Sequence, residues 1–437
     1  MLGTIPVQGD STVLPATDRR APSVNHLALL LASLGFACVV GLVTYRAATR
    51  FVIPDHPDAV HWVMQDFRDA TYFPVRSFLD GNNPYDAAAQ ASAYPVGQTF
   101  PPYSPLTLLL HAPLGLLPLG AAALGYFALN LVLTLGFAAL VLRLTGSTSP
   151  AATLVLAALL LLSRPGQWNL MLGQPTLLIV IGVYLALFWA HQRPWLAGLG
   201  LALSSLKPTF AVPLALLMLA RGEVRAVWVG SVAAGIAAAA GAVGPVLAAG
   251  GLVPFVGGLP ANYAAVANDP SAHALLSIYR VDVIALAARL LGRGPRLAEE
   301  LALSLTILAV GAFAMRSSRG ASEPAYTLSS MVACLTLAAG TYHLAYDLLL
   351  LTLPAVALWR GGKVAPWATR PWRRQLFLAL FAVLGFNYAA TQAGTNHLVP
   401  NGRLWTVVTS LNSTAVLALF IGYVDLLLRR RVEKEEA

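Results

Sequence analysis

The stretch Trp195 to Ala220, WLAGLGLALSSLKPTFAVPLALLMLA, decides how this chain is threaded. It is largely apolar, its one charge is Lys207, which with Pro208 breaks it near the middle, and arginines flank it: Arg193 before, Arg221 and Arg225 after. A bilayer crossing takes about 20 apolar residues, so each half, about a dozen residues long, is too short to span alone. Proline removes a backbone donor and breaks the helical ladder. Non-helical backbone at membrane depth is tolerated only where protein surrounds it. The stretch therefore predicts a re-entrant hairpin that returns to the side it started from.

The rest of the chain supports a membrane setting. Of 437 residues, 57% are hydrophobic and 11% charged, against about 25% charged in an average soluble domain. Apolar runs begin at 26–45 and recur near 120–142, 151–163, 168–190, 226–248, 298–314, 326–341, 344–358, 375–390 and 403–428. They are too long and continuous for barrel strands, so the fold class is an all-α polytopic membrane protein with about 10–12 membrane segments. The net charge of +9 comes from basic residues at the ends of apolar runs, where orientation signals belong, and not from a nucleic-acid-binding patch. With the hairpin in place, most Lys and Arg, including Arg316, Arg319, Arg360, Lys363, Arg370, Arg373 and Arg374, fall on the side holding both termini. The positive-inside rule makes that side cytoplasmic. Residues 1–25 read as a disordered cytoplasmic tail, 26–428 as the membrane domain and 429–437 as a charged cytoplasmic tail. The two cysteines, Cys38 and Cys334, lie in apolar runs, so no disulfide framework or Cys-rich metal site is expected. A cell-membrane location follows.

This topology puts 46–103 outside, and that loop holds six of the 19 acidic residues: Asp55, Asp58, Asp66, Asp69, Asp80 and Asp86. Within DFRDATYFPVRSFLDGNNPYD (66–86), Asp66 and Asp69 share a helical face, and Arg68 lies between them. Either carboxylate could be the working one. A plainer alternative makes Asp66 the cap of a helix starting at Phe67, with Asp69 favoured by the dipole. Pro74 predicts an interruption between Asp69 and Gly81. The following TFPPYSPLTLLLHAPLGLLP (99–118), with Tyr103, reads as a short interfacial helix.

Ionisable residues at membrane depth usually have a partner or a task. Lys207 is one, either pinning the hairpin or offering a cation to a lipid-linked phosphate. His343 and Asp347, in TYHLAYD, form a candidate oriented pair. Gln174, preceded by Trp168 and Asn169, suits an interhelical bond or a sugar contact. Arg280 opens a stretch with Arg289, Arg293 and Arg296 that reads as a cationic interfacial helix able to attract phosphate. No P-loop, dinucleotide fingerprint, zinc spacing or nucleophile elbow occurs.

In order along the chain, DFRDATYFPVRSFLDGNNPYD, FPPYSPLTLLLHAPLGLLP, LGQPTLL, LALSSLKPTFAVPLALL and TYHLAYDLLLLTLP resemble glycosyltransferase family 87, the polyprenol-phosphate-mannose-dependent mannosyltransferases. The resemblance implies a glycosyltransferase C-type helical bundle whose first outer loop bears the catalytic Asp, here Asp66. It also implies that His343 matches the family's late His, and Lys207 its Lys-Pro. The expected reaction is inverting transfer of a sugar, mannose by resemblance, from a polyprenyl-phosphate donor to a lipid or glycan acceptor. Asp66 and His343 are then the catalytic candidates; Asp69, Arg68, Lys207, Arg280, Gln174, Asp347 and Tyr103 are the substrate-contact candidates. No cofactor or resident metal is called for, with a divalent cation left open. A transporter or flippase of lipid-linked sugars is the rival reading.

Overall fold

A computed structural model of the chain describes residues 26–98, 101–267, 269–319, 323–361, 370–397 and 402–435. The tail at 1–25, Lys363 and the last two residues lie outside the described residues. Among the described residues there is no named strand, only two isolated bridges, Phe51 with Val63 and Arg280 with Leu344. All-helical is the expected outcome where backbone groups have no water to bond.

Among the described residues five helices are long and apolar enough to cross a bilayer: His26–Ala48, Leu119–Leu144, Val224–Ala248, Leu297–Arg316 and Gly402–Arg429. A sixth candidate is the pair Pro150–Leu162 and Arg164–Leu172, bent by 74° at Ser163, whose side chain caps the second helix at Gly166 N. The apolar run 168–190 is thus two helices: the break falls at Gly173, and Thr176–Trp189 continues as a largely buried inner helix. The outer helices leave Leu27, Leu30, Leu34, Leu124, Val132, Trp228, Val243 and Leu305 exposed, as lipid-facing positions require.

The hairpin forms as expected. Pro194–Ser204 and Pro208–Arg221 each begin on a proline, whose fixed φ suits a first helical turn. At about 1.5 Å per residue the first is roughly 16 Å long, half a hydrocarbon core. Its foot carries Trp195, over which the Arg225 guanidinium sits at 5.8 Å, and the second helix ends at Arg221 beside it in space. The tip reaches the other end of the bundle, where Leu206 O accepts from Ser104 N at 3.0 Å. Close packing is possible because Gly182, Gly198, Gly200 and Gly230 face neighbouring backbone: a Cβ on Gly200 would stand 2.5 Å from Gly182 O.

Polar clusters mark the two ends. At the feet, Arg221 bonds Leu187 O, Ser330 and Glu223, Tyr326 also bonds Glu223, and Arg319 bonds Ala220 O. The other end gathers the first loop, the hairpin tip and the start of 343–360, and all the candidate residues converge there.

Candidate active site

The first-loop helix starts at Gln65, not at Phe67. Its N-cap is Met64 in the left-handed region at φ 63°, with no side-chain cap. Asp66 is therefore inside the first turn and its carboxylate is not spent on capping. The helix widens to a π turn over Arg68–Tyr72, closed by Phe73 N to Arg68 O, before continuing as Phe73–Leu79. A proline ring clashes with the carbonyl four residues back, and the wider turn opens that contact, so Pro74 reshapes the helix without ending it. The helix stops at Leu79, followed by Gly81 at φ 80°.

The two carboxylates part company in their bonding. Asp69 Oδ1 accepts from Arg68 Nε at 2.7 Å, and its Oδ2 accepts from Gly97 N and Gln98 N, both at 3.0 Å. Arg68 Nη1 in turn bonds Asp55 O. Arg68 and Asp69 are 1% and 2% exposed, so this pair is a clamp joining both ends of the first loop. Asp66 accepts from the Gln174 side-chain amide at Oδ2, and Gln174 Oε1 accepts from Tyr103 Oη at 2.6 Å. Among the described residues Asp66 Oδ1 has no hydrogen-bond partner, and the residue remains partly open. Burial pushes the Asp66 carboxyl up to about 7, with the Asp69 charge adding and the Gln174 bond and Lys207 opposing.

Gln174 gets there because two chain segments dock side by side. Met64 N donates to Met171 O at 2.6 Å, and the Arg164–Leu172 helix ends in Gly173 at φ 71°. A Cβ on Gly173 would stand 2.5 Å from Phe67 Cβ, so glycine is needed both for the turn and for the close approach.

Asp347 anchors a second group. Lys207 Nζ lies 3.0 Å from both its oxygens, His343 Nδ1 is 3.2 Å from Oδ2, and Leu344 N donates to Oδ2 at 3.0 Å. Thr176 Oγ1 approaches Oδ1 at 3.4 Å, and His343 Nε2 lies 3.0 Å from Thr341 Oγ1. His343 precedes a 3-10 turn, Ala345–Leu351, so the pair is built by that tight turn and not by one α-helical face. The Lys207 cation also faces the Tyr346 ring at 4.9 Å. Lys207 both pins the hairpin tip to Asp347 and carries charge within electrostatic reach of Asp66.

Arg280 differs from its expected setting. It precedes the helix Val283–Leu291 and is buried, held by Asp282 through two bonds of 2.9 Å and stacked on the Tyr342 ring at 4.9 Å. Arg289 is buried too and bonds Thr409 O and Ser277 O. Arg293 pairs with Glu299. The expected interfacial cationic face is thus largely turned inward, because carbonyls and carboxylates at this end of the bundle claim the guanidinium groups. Asp282, missed in the sequence, caps that helix at Ala285 N and accepts from His343 N at 3.3 Å. Its signal was an Asp directly before an apolar helical run. Asn169 serves an interhelical bond to Asn130 at 3.1 Å.

Tyr103, Asp66, Gln174, Lys207, His343 and Asp347 thus share one end of the bundle. Tyr103 stands within electrostatic reach of both Asp66 and Asp347. Among the described residues no group of three or more His, Cys, Asp or Glu is placed to hold a metal ion. A base with one free oxygen beside a cation is suited to deprotonating a hydroxyl as a negatively charged group departs.

Residues 100–341 match the model of glycosyltransferase family 87. No curated protein matches the chain. The matched stretch contains Tyr103, Gln174, Lys207 and Arg280; Asp66 precedes it, and His343 and Asp347 follow just beyond it. Those three are joined to it by the Gln174–Asp66 and Lys207–Asp347 contacts. The match covers more than half of the sequence, and the chain is a membrane protein of glycosyltransferase family 87.

Proposed function

We propose that the protein transfers a sugar from a polyprenyl-phosphate donor to a lipid or glycan acceptor by a single inverting displacement, with Asp66 as general base. The observation that carries this is the division of labour between the carboxylates: Asp69 is saturated by Arg68, Gly97 and Gln98, whereas Asp66 keeps one oxygen free. In the reaction an acceptor hydroxyl gives its proton to Asp66 Oδ1 and its oxygen bonds the anomeric carbon. The bond from that carbon to the phosphate oxygen breaks, and polyprenyl phosphate leaves with the electron pair. General-base catalysis of this kind contributes typically about 10²- to 10⁴-fold.

Charge on the departing phosphate calls for a nearby cation. Lys207, oriented by Asp347 and within electrostatic reach of Asp66, is the first candidate, with His343 bonded to the same Asp347 carboxylate. The exposed apolar exterior favours a donor with a lipid tail, and mannose is the sugar that the family resemblance suggests. The bundle end rich in arginine, with Arg221, Arg319, Arg360 and Arg373, is the cytoplasmic one by the positive-inside rule, which puts Asp66 on the extracytoplasmic side.

The test is to incubate membranes containing the protein with labelled polyprenyl-phosphate-mannose and identify the product by mass spectrometry. Wild type should yield a glycosylated product and Asp66→Asn none at equal protein level. Activity of the variant within a few-fold of wild type overturns the reading.

A further inference from the structure

The end of the bundle away from Asp66 carries a cavity that sugar transfer does not use. The helix Leu119–Leu144 is closed by Gly146 at φ 77°, with Ser147 N bonded back to Leu142 O at 2.7 Å. The next helix, Pro150–Leu162, starts at once under a Ser149 cap. Beside this turn lies a cavity of about 360 Å³, within the roughly 300–1,000 Å³ of ordinary small-ligand clefts. Arg360 Nη1 reaches the turn at Thr145 Oγ1, 3.4 Å away, which puts the cavity at the arginine-rich end read as cytoplasmic.

The lining is graded. Arg143, Ser147, Thr148 and Pro150 line the cavity at the turn, and Ala139, Thr153 and Leu154 line it one helical turn further along the two helices. Among the described residues neither the exposed Arg143 guanidinium nor the Thr148 hydroxyl has a hydrogen-bond or ion-pair partner, and no lining residue is acidic. An unclaimed guanidinium among hydroxyls suits a phosphate, and without a carboxylate the lining has nothing to pair with a choline or an amine. An apolar track continues from there. Val132, Gly136, Ala139 and Arg143 recur at helical spacing along one face, Val132 and Gly136 are exposed, and a Cβ on Gly136 would meet nothing within 4 Å. On the neighbouring helix Val155 and Leu159 are exposed as well. A soluble anion gains nothing from such a track, whereas an acyl chain does.

We infer that this cavity holds the head group of an anionic phospholipid from the cytoplasmic leaflet, with Arg143 on the phosphate and an acyl chain along Ala139 and Gly136. The negative surface of that leaflet adds to the attraction. The site is independent of which carboxylate is the base. To test it, purified full-length protein in detergent is titrated with palmitoyl-oleoyl-phosphatidylglycerol or the matching phosphatidylcholine, and bound lipid is counted by native mass spectrometry. The first phosphatidylglycerol should bind about tenfold or more tighter than the first phosphatidylcholine. Arg143→Gln should shrink that preference to about threefold or less, while Arg316→Gln, at an exposed arginine of the same end outside the cavity, should keep it. Saturating phosphatidylglycerol should raise the Tm of wild type and not that of Arg143→Gln. Gly136→Leu fills the track without touching the cation; it should weaken phosphatidylglycerol binding about tenfold, and it carries the test should Arg143→Gln not fold. Equal affinity for the two lipids overturns the inference. So does an equal loss in Arg143→Gln and Arg316→Gln, the mark of diffuse attraction, or unchanged binding in Gly136→Leu. Displacement of phosphatidylglycerol by millimolar inorganic phosphate would make the site one for a free anion, and overturns the lipid as its occupant.

Discussion

Gln174 donates its side-chain amide to Asp66 Oδ2 across 108 positions of the chain, and this contact orients the carboxylate and partly offsets the rise in pKa that burial causes. The free oxygen points away from the only protein donor seen among the described residues. Orientation by a neutral amide holds a base in place without neutralising it.

Asp66 and Asp69 should fail differently when changed to Asn. Asp66→Asn should cut transfer by about 10²-fold or more with normal expression. Asp69→Asn leaves Arg68 buried without its counter-charge, and breaking a buried pair costs about 3–5 kcal/mol, so its first symptom is a lower Tm. Thermal melts beside membrane activity assays distinguish the two; a stable, inactive Asp69→Asn would contradict the clamp.

The pH profile follows from the raised carboxyl. A base with its pKa at about 7 is protonated below that value, so kcat/KM should climb as pH rises to about 7 and level off above it. Gln174→Leu removes a bond that favours the charged form, and the inflection should move to higher pH. An inflection that stays put in the variant argues against Asp66 as the titrating group.

Stability should show the opposite sign at the same residue. The folded pKa of Asp66 is above its ordinary value of 3.8, so its favourable contribution is present below about pH 4 and lost as pH rises through about 7. Asp66→Asn carries no charge to bury and should melt higher than wild type at pH 8, with the advantage shrinking toward pH 5. Calorimetry at the two pH values reads this directly.

Gly173→Ala tests the docking. Its φ of 71° and the 2.5 Å approach to Phe67 Cβ make any side chain a clash, and left-handed strain alone costs about 1–3 kcal/mol. Displacing Gln174 should lower kcat more than donor affinity. Wild-type kinetics in this variant would mean that the Gln174 bond is dispensable.

Lys207 and Asp347 should be coupled. Lys207→Met and Asp347→Asn each strand a buried partner, at about 3–5 kcal/mol, and the double variant should lose less stability than the sum. Denaturant melts of the four proteins measure the coupling; additive losses would show that the pair does not act as a unit.

The residues themselves determined a good deal. Long apolar runs fix helices in a membrane because no other open backbone is satisfied there, and Lys207-Pro208 fixes the hairpin because proline begins a new helix at once. Pro74 announced a local distortion, though not that it would be a π turn. These are effects of neighbours in the chain, and periodicity or one ring suffices to read them.

The choice between Asp66 and Asp69 belongs to the tertiary structure. Three apart on one helix, they are equivalent to local reasoning; Gly97 and Gln98 from one side and Gln174 from the other make one a clamp and leave the other half free. Arg280 likewise reads as an available cation until Asp282 and Tyr342 are seen to hold it. Lys207 meets Asp347 across 140 positions, a distance at which spacing carries no signal. Burial and pairing of charges are decided by which segments touch, and that depends on the packing of the whole bundle.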